Sequence, residues 1–146
     1  MKMLSMCSLL IGSSFLGAAT PPAGETAAVT VVVSSLVSTT STVKLYFYNT
    51  RDGFLKSGKW AFSKAVKPGG KHEFTLPVEL PKGEWAVAIT QDLNNNDKID
   101  KNFIGIPTEP YAFSNNIRPT VAAPDFNECK FTVDGPGKVV NIVLKN

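Results

Sequence analysis

Alternation of apolar and polar side chains limits the folds open to this chain more than any other feature. In the segment VKLYFY, Val43, Leu45 and Phe47 lie on one side of an extended chain, and the intervening residues lie on the other. A period of two residues is typical of a β-strand that buries one face, whereas a helix would scatter these side chains around its axis. The segment therefore predicts a half-buried strand.

Three other segments also predict strands. AAVTVVVSSLVS is rich in β-branched residues, and the polar stretch Ser38–Thr42 behind it predicts a turn into the next strand. KHEFTLPVELPKG predicts a strand from about His72 to Leu80, in which Pro77 indicates an edge position or a bulge. EWAVAIT alternates large apolar residues with alanines, and a face of small residues favours close packing against another layer.

The remaining segments give weaker patterns. RDGFLKSGKWAFSKAVKPGG has no clean period and predicts a short helix or an irregular crossover. About 35 residues from Gln91 to Asp125 lack periodicity, which is too long for an ordinary connection. Their many apolar side chains predict an ordered excursion rather than disorder. ECKFTVD, the turn GPG and KVVNIVLKN predict a C-terminal hairpin.

These segments together predict an all-β fold. With 146 residues and 43% hydrophobic positions, the chain suits one globular domain. Six or seven short strands with frequent turns predict a β-sandwich of immunoglobulin-like or transthyretin-like type, with one long structured loop.

The N-terminus has the layout of a secretory signal peptide. Lys2 precedes an apolar stretch from about Leu4 to Leu16, and Gly17 and Ala19 are small where a peptidase reads. The alternative is a buried N-terminal helix. The sequence thus predicts a signal peptide over 1–19, a single domain over 20–146, no transmembrane segment in the mature chain, and export to the periplasm or beyond the cell.

Charge and cysteine content narrow the chemistry. Fifteen basic and twelve acidic residues give a net charge of +3 with no basic cluster, which argues against a nucleic-acid partner; no other partner is indicated. Cys7 stands too early for lipidation, and Cys129 alone allows neither an internal disulfide nor a cysteine zinc site. Cys129 is interpreted as a small buried hydrophobe rather than a reactive thiol.

Few residues favour catalysis. His72 is the one histidine, and no G-x-S-x-G motif and no histidine cluster is present. The sequence therefore predicts a protein that is not an enzyme.

The loop QDLNNNDKID has the spacing of a Ca²⁺ site. Asp92, Asn94, Asn96 and Asp100 take positions one, three, five and nine, and Lys98 takes position seven, where a backbone carbonyl serves. Alternate residues of a curled loop point inward, so their oxygens can converge on one ion.

Two departures weaken this register. Asp97 stands where a glycine usually makes the sharp turn, and Phe103 stands where a glutamate usually closes the site. Glu109 could supply that carboxylate from the next loop. Weak Ca²⁺ affinity, near the millimolar range, is the expectation. The alternative is a structural turn held by Asn and Asp side chains.

The segment over 102–119 combines aromatic and polar side chains. Tyr111 and Phe113 could stack on a small ligand or a carbohydrate, while Ser114, Asn115 and Asn116 supply hydrogen bonds. The alternative is a long loop that pins itself down, with its aromatics buried and its amides bonded to backbone groups.

The motifs resemble those of the exported bacterial proteins called domain of unknown function twenty-one forty-one. That family reads G-x-Y-A-[IV]-x-x-x-H-D-x-N-x-N-G-K-[LI]-D and then N-[FW]-x-G-[IM]-P-x-E-[GP]-[YW]-G-F-S-N-N. Here the corresponding stretches are GEWAVAITQDLNNNDKID and NFIGIPTEPYAFSNN, and VKLYFYNTRDGFL and APDFNECKFTV also match. The resemblance covers most of the mature chain.

Three positions depart from the family pattern. Gln91 replaces a histidine, which removes a possible metal or proton-transfer group, and Asp97 and Ala112 replace glycines. The resemblance implies an exported, β-sandwich-like domain with no established activity. It also implies that the Asn-rich loop and the F-S-N-N segment form one composite feature.

Overall fold

The computed structural model describes residues 24–104 and 107–144. The predicted signal peptide, 1–19, lies outside these residues, as do Gly105 and Ile106. Eight strands and two short helical turns follow one another along the described chain. They are β1 (Thr26–Ser34), β2 (Val43–Tyr48), β3 (Phe62–Val66), β4 (Phe74–Pro81), β5 (Gly83–Gln91), β6 (Tyr111–Phe113), a 3₁₀ turn (Ser114–Asn116), α1 (Phe126–Cys129), β7 (Phe131–Val133) and β8 (Lys138–Val143).

The strands form two sheets. A three-stranded sheet has the order β4-β1-β8, in which β1 is antiparallel to β4 and parallel to β8. A five-stranded sheet has the order β3-β2-β5, with β6 and β7 both pairing with the other edge of β5. The predicted all-β fold of two sheets is confirmed, with almost no helix in the described residues.

The main core draws on both sheets. Val31 of β1, Leu45 of β2, Ile89 of β5 and Ile142 of β8 each have no exposed surface and belong to one hydrophobic cluster. Alternation in β2 and β5 sends these side chains inward, as the sequence predicts. Burial of this kind stabilises a fold by about 2 kcal/mol for each large apolar side chain.

A second hydrophobic cluster covers the outer face of the five-stranded sheet. Ala86 and Ala88 of β5 share this cluster with Phe113 of the neighbouring β6, and with Phe54 and Phe126. The rings of Phe54 and Phe126 meet edge to face with centroids 5.8 Å apart. The small side chains therefore allow close packing, as predicted, and the covering groups come from the turn at Phe54 and from α1.

The segment over 51–70 differs from its prediction. It contains β3, which pairs with β2, where the sequence indicated a short helix or an irregular crossover. β3 is an edge strand whose three central residues are exposed. Only its end residues, Phe62 and Val66, pack partly against the core, so β3 lacks the run of alternating buried residues that identifies a strand.

The predicted C-terminal hairpin is also wrong. β7 pairs with β5 and β8 pairs with β1, so the two strands belong to different sheets. Glu128 and Cys129 belong to α1, which begins with a capping box between Asp125 and Glu128. Pro77 lies in β4, an edge strand, as expected for a residue that cannot donate to the ladder.

Candidate functional site

Asp92 fixes the start of the Asn-rich loop, directly after β5. Its backbone N–H donates to Thr42 O (2.9 Å), and its side chain is 4% exposed. Its two carboxylate oxygens accept from the backbone N–H groups of Asn96 (3.2 Å) and Asp97 (2.9 Å). Asn95 and Asp97 have φ of 56° and 63°. These left-handed conformations, which Asn and Asp tolerate, curl the loop around the Asp92 carboxylate.

Asp100 gathers the amides of the same loop. Asn94 Nδ2 donates to Asp100 Oδ2 (2.6 Å), and Asn96 Nδ2 lies 2.8 and 2.7 Å from the two Asp100 oxygens. The hydrogen bonds from Asn94 and Asn96 lower the pKa of Asp100. Lys98 joins through its backbone N–H, which donates to Asn96 Oδ1 (3.0 Å). Side chains at the predicted positions one, three, five and nine are thus linked in one network.

Glu109 lies against the start of the loop. Its Oε1 accepts from the backbone N–H of Leu93 (2.9 Å), and its side chain is 7% exposed. Oε2 is buried and has no hydrogen-bond partner in the described part of the chain. A buried carboxylate oxygen without a partner carries a desolvation cost of about 1–3 kcal/mol or more. Glu109 therefore has an acceptor available beside the loop.

Lys44 brings a positive charge to this cluster. Its Nζ lies 2.6 Å from Asp97 Oδ1 and 3.9 Å from Asp92 Oδ2. Burial works against the charged amine, but the hydrogen bond to Asp97 and nearby charges raise the pKa of Lys44. The same contact lowers the pKa of Asp97. No sequence pattern predicts this contact, because Lys44 occupies an ordinary outward position of β2.

The oxygen set of the loop is mixed. Across 24–104 and 107–144, no three Asp, Glu, His or Cys side chains gather as a metal site. The loop offers instead the carboxylates of Asp92 and Asp100, the amide oxygens of Asn94 and Asn96, and backbone carbonyls. Amide and carbonyl oxygens are ordinary Ca²⁺ ligands, but two carboxylates imply weak binding.

Ser114 completes the edge of β5. β7 pairs with β5 at 83–85 and β6 pairs at 88–90, which leaves Val87 between the two ladders. Ser114 Oγ accepts from the Val87 N–H (2.9 Å) and donates to Cys129 O (2.5 Å). Ser114 has no exposed surface. Its hydroxyl therefore substitutes for a missing residue of the ladder.

Asn115 and Asn116 bond to distant backbone. Asn115 Nδ2 donates to Glu128 O (3.0 Å) and Lys130 O (2.8 Å). Asn116 Nδ2 donates to Asn141 O (3.1 Å), and Asn116 Oδ1 accepts from Val143 N–H (2.8 Å). These bonds tie the turn to α1 and β8. Thus the F-S-N-N segment and the Asn-rich loop flank β6 and bond to different parts of the fold.

Tyr111 and Phe113 border a cavity on the outer face of the five-stranded sheet. Phe113 is 7% exposed and belongs to the second cluster, and Tyr111 is half-buried against it. Their rings meet with centroids 5.7 Å apart. The cavity has a volume of about 600 Å³ and is also lined by Tyr46, Tyr48 and Ile99.

Gln91 has a role that the sequence did not reveal. It is fully buried, and its Oε1 accepts from the N–H groups of Val37 (2.9 Å) and Ser38 (3.1 Å). Its Nε2 donates to the carbonyls of Ser38 (2.7 Å) and Ser41 (3.3 Å). Gln91 therefore holds the turn between β1 and β2 at the position where the family pattern has histidine.

His72 and Cys129 both make contacts that stabilise the fold. His72 Nδ1 lies 2.7 Å from Leu36 O, just before β4. Cys129 has no exposed surface, and burial raises the pKa of its thiol to about 12. The thiol is protonated at neutral pH, which agrees with its interpretation as a buried hydrophobe.

The fold and these contacts define a β-sheet domain of two sheets. The chain belongs to the family described as "Uncharacterized protein conserved in bacteria (DUF2141)", whose sequence profile matches residues 31–141. This match confirms the resemblance. Comparison with curated proteins and with solved structures returned no match. Among the described residues, no helix is long and apolar enough to cross a membrane.

Proposed function

We propose that this chain is an exported, non-enzymatic β-sheet domain whose Asn-rich loop binds Ca²⁺ weakly. The N-terminal sequence supports export, and N-terminal sequencing of secreted or periplasmic protein is expected to begin near Thr20. The bound ion would stiffen the loop at the end of β5. Its role is structural, or it shapes a binding surface.

The convergence of the loop side chains carries this proposal. Asp100 contacts both Asn94 and Asn96, and Asp92 accepts from the backbone of Asn96. A rotation of the two amides about their terminal bonds would exchange Nδ2 for Oδ1 and turn donors into ligands. Glu109 adds a buried oxygen without a described partner at the base of the loop.

The competing interpretation is a turn that needs no ion. Every bond within the loop is one that Asn and Asp make in ordinary turns. Lys44 also places a positive charge against Asp97 and Asp92. Both facts favour weak binding, so we expect a dissociation constant for Ca²⁺ near 1 mM, at the weak end for extracellular Ca²⁺ modules.

Thermal melting separates the two interpretations. At about 10 mM Ca²⁺ and a Kd near 1 mM, mass action adds about 1.4 kcal/mol, so Tm rises by about 5 °C over the EDTA sample. Asp100→Asn is expected to abolish the rise. Asp134→Asn, which removes an exposed carboxylate outside the loop, is the matched control and is expected to retain it. Equal responses of all three proteins would exclude a Ca²⁺ site in this loop.

The non-enzymatic part rests on the candidate catalytic groups. His72 contacts the backbone of Leu36, and Ser114 contacts Val87 and Cys129. The Ser114 hydroxyl has no exposed surface for a substrate to reach. A catalytic nucleophile needs a base within hydrogen-bond reach, and the contacts of His72 and Ser114 are to backbone groups instead.

A second candidate function is a small-ligand or carbohydrate-binding module. The cavity beside Tyr111 and Phe113 favours it, because about 600 Å³ is within the usual range for ligand pockets. Asn115 is bonded to backbone carbonyls, so the aromatic residues would carry recognition. Saturation-transfer NMR with naphthalenemethanol and with methyl glucoside tests it. At least one signal is expected, and it should vanish in Ala122→Trp, which fills the cavity from an exposed position.

A further inference from the structure

The floor of the cavity, formed by the five-stranded sheet, carries three tyrosines beside Ala88 and Thr90 of β5. Tyr46 and Tyr48 come from β2, and Tyr111 comes from β6. Each ring has an aromatic neighbour: Trp60, Phe54 and Phe113 respectively. The rings are therefore held in place, as a preformed binding surface requires.

The hydroxyls of these tyrosines have no hydrogen bond to any residue within 24–104 and 107–144. Tyr48 is only 4% exposed as a residue, yet no tyrosine hydroxyl is among the buried atoms that lack a partner in the described residues, so these hydroxyls reach open space rather than protein. Burial raises the pKa of Tyr48 to about 12 and also raises the pKa of Tyr46. The hydroxyls of Tyr46 and Tyr48 therefore remain neutral donors at physiological pH, suited to an acceptor oxygen on a ligand.

The charge around the cavity has one sign. Among the described lining residues, Lys101 is the one that carries charge at neutral pH, and none is Asp or Glu. The opposite wall is apolar and comes mainly from 119–124, with Ile99 and Ile104 beside it. A ligand that matches this lining has an apolar body and an anionic oxygen group.

We propose that the cavity binds a small aromatic carboxylate. Its ring packs between the tyrosine floor and the apolar wall, and its carboxylate accepts from tyrosine hydroxyls and pairs with Lys101. This proposal rests on the second candidate function and adds the ligand class to it. It is independent of Ca²⁺ binding by the loop.

Isothermal titration with naphthoate and naphthalenemethanol tests the ligand class, because the two probes share a ring system and differ in charge. Naphthoate is expected to bind more tightly. Tyr111→Phe should weaken naphthoate binding by about two- to tenfold, the usual effect of one hydrogen bond. Lys101→Gln should weaken it by about two- to fivefold, as for an exposed ion pair, and leave naphthalenemethanol unchanged.

Lys71→Gln is the matched control, because Lys71 is an exposed lysine outside both the cavity lining and the Asn-rich loop. It should bind both probes as the parent does, and Ala122→Trp should bind neither. Equal affinity for both probes, lost in Ala122→Trp, would overturn the carboxylate class and leave the binding module intact. Naphthoate binding that survives Ala122→Trp would overturn the site. Failure of both probes and of methyl glucoside would overturn the second candidate function as well.

Discussion

The Asn-rich loop and the Ser114–Asn116 turn look alike in sequence and act differently in the structure. Both are polar and both hold Asn in left-handed conformations, at Asn95 in the loop and at Asn115 and Asn116 in the turn. The loop side chains bond mostly to residues two to six positions away. The side chains of the turn bond to residues 13 to 27 positions away.

This difference in range separates two roles. Bonds to distant backbone close large loops, so the turn is part of what holds the two sheets in register. Hydrogen bonds inside the nine-residue loop 92–100 organise the loop alone. We therefore expect the two sheets to keep their structure when these bonds are lost. A segment of the second kind is free to change its contacts when an ion arrives.

Removal of the Ser114 hydroxyl is expected to have the largest effect. Ser114→Ala leaves the Val87 N–H and the Cys129 carbonyl without this partner inside the protein, which should cost about 3 kcal/mol of unfolding free energy. Urea denaturation measures it. Ser57→Ala, at an exposed site, is the control and should change stability by less than about 0.5 kcal/mol. A loss below about 1 kcal/mol for Ser114→Ala would refute the role of its hydroxyl in the β5 ladder.

Glycine at one asparagine from each region compares them directly. Glycine tolerates the left-handed conformation, so both substitutions cause little backbone strain. Asn116→Gly removes side-chain hydrogen bonds, whereas the Asn95 side chain makes none to the described residues. Asn116→Gly should cost about 2 kcal/mol because two bonds to β8 are lost. Asn95→Gly should cost less than about 0.5 kcal/mol. Equal losses in urea denaturation would contradict the division into two roles.

Removing the charge of Lys44 is expected to increase the Ca²⁺ affinity of the loop. Lys44→Met keeps the aliphatic stem and removes a positive charge close to Asp92 and Asp97, so Ca²⁺ affinity should rise by up to about tenfold. Calorimetric titration measures the change. Lys64→Met in β3, which removes an exposed lysine, is the control and should have little effect. Unchanged affinity in Lys44→Met would show that the ion, if bound, lies away from these carboxylates.

The smallest effect concerns pH. Hydrogen bonds from Asn94 and Asn96 lower the pKa of Asp100, whose ordinary value is 3.8. The stabilisation is complete above that value and is lost as pH falls through the lowered pKa of the folded loop. NMR should show the side-chain amides of Asn94 and Asn96 titrating below pH 3.8. The side-chain amides of Asn115 and Asn116 bond to backbone carbonyls, so their chemical shifts should not change over this pH range. The same titration midpoint for all four amides would contradict the difference between loop and turn.

Local periodicity made part of this fold predictable. Side chains in β2 and β5 alternate in character because each strand buries one face in the main core. The alanines of β5 predict that its other face packs against a further layer. β3 was not predicted because this edge strand is half-buried only at Phe62 and Val66, which gives too short an apolar alternation. The parallel pairing of β1 with β8 and the shared edge of β6 and β7 join residues far apart, which no local pattern encodes.

Contacts in the candidate site were likewise predictable where they are local in sequence and not where they are distant. Spacing predicted that Asp92, Asn94, Asn96 and Asp100 would meet, because a curled loop brings alternate residues together. Spacing indicates Glu109 only as a carboxylate that could close the site from the next loop, and in the structure its Oε1 accepts from the Leu93 N–H. Lys44 and Gln91 were missed because they reach their partners across strands.

Ca²⁺ titration followed residue by residue by heteronuclear NMR tests the central claim most directly. The account predicts saturable shifts, with a Kd near 1 mM, in the backbone signals of 92–101 and Glu109, and no shifts at 114–116. Asp100→Asn should remove them, and Mg²⁺ should not reproduce them at the same concentration. Unchanged loop signals up to about ten times that concentration, or equal shifts in the Ser114–Asn116 turn, would contradict it.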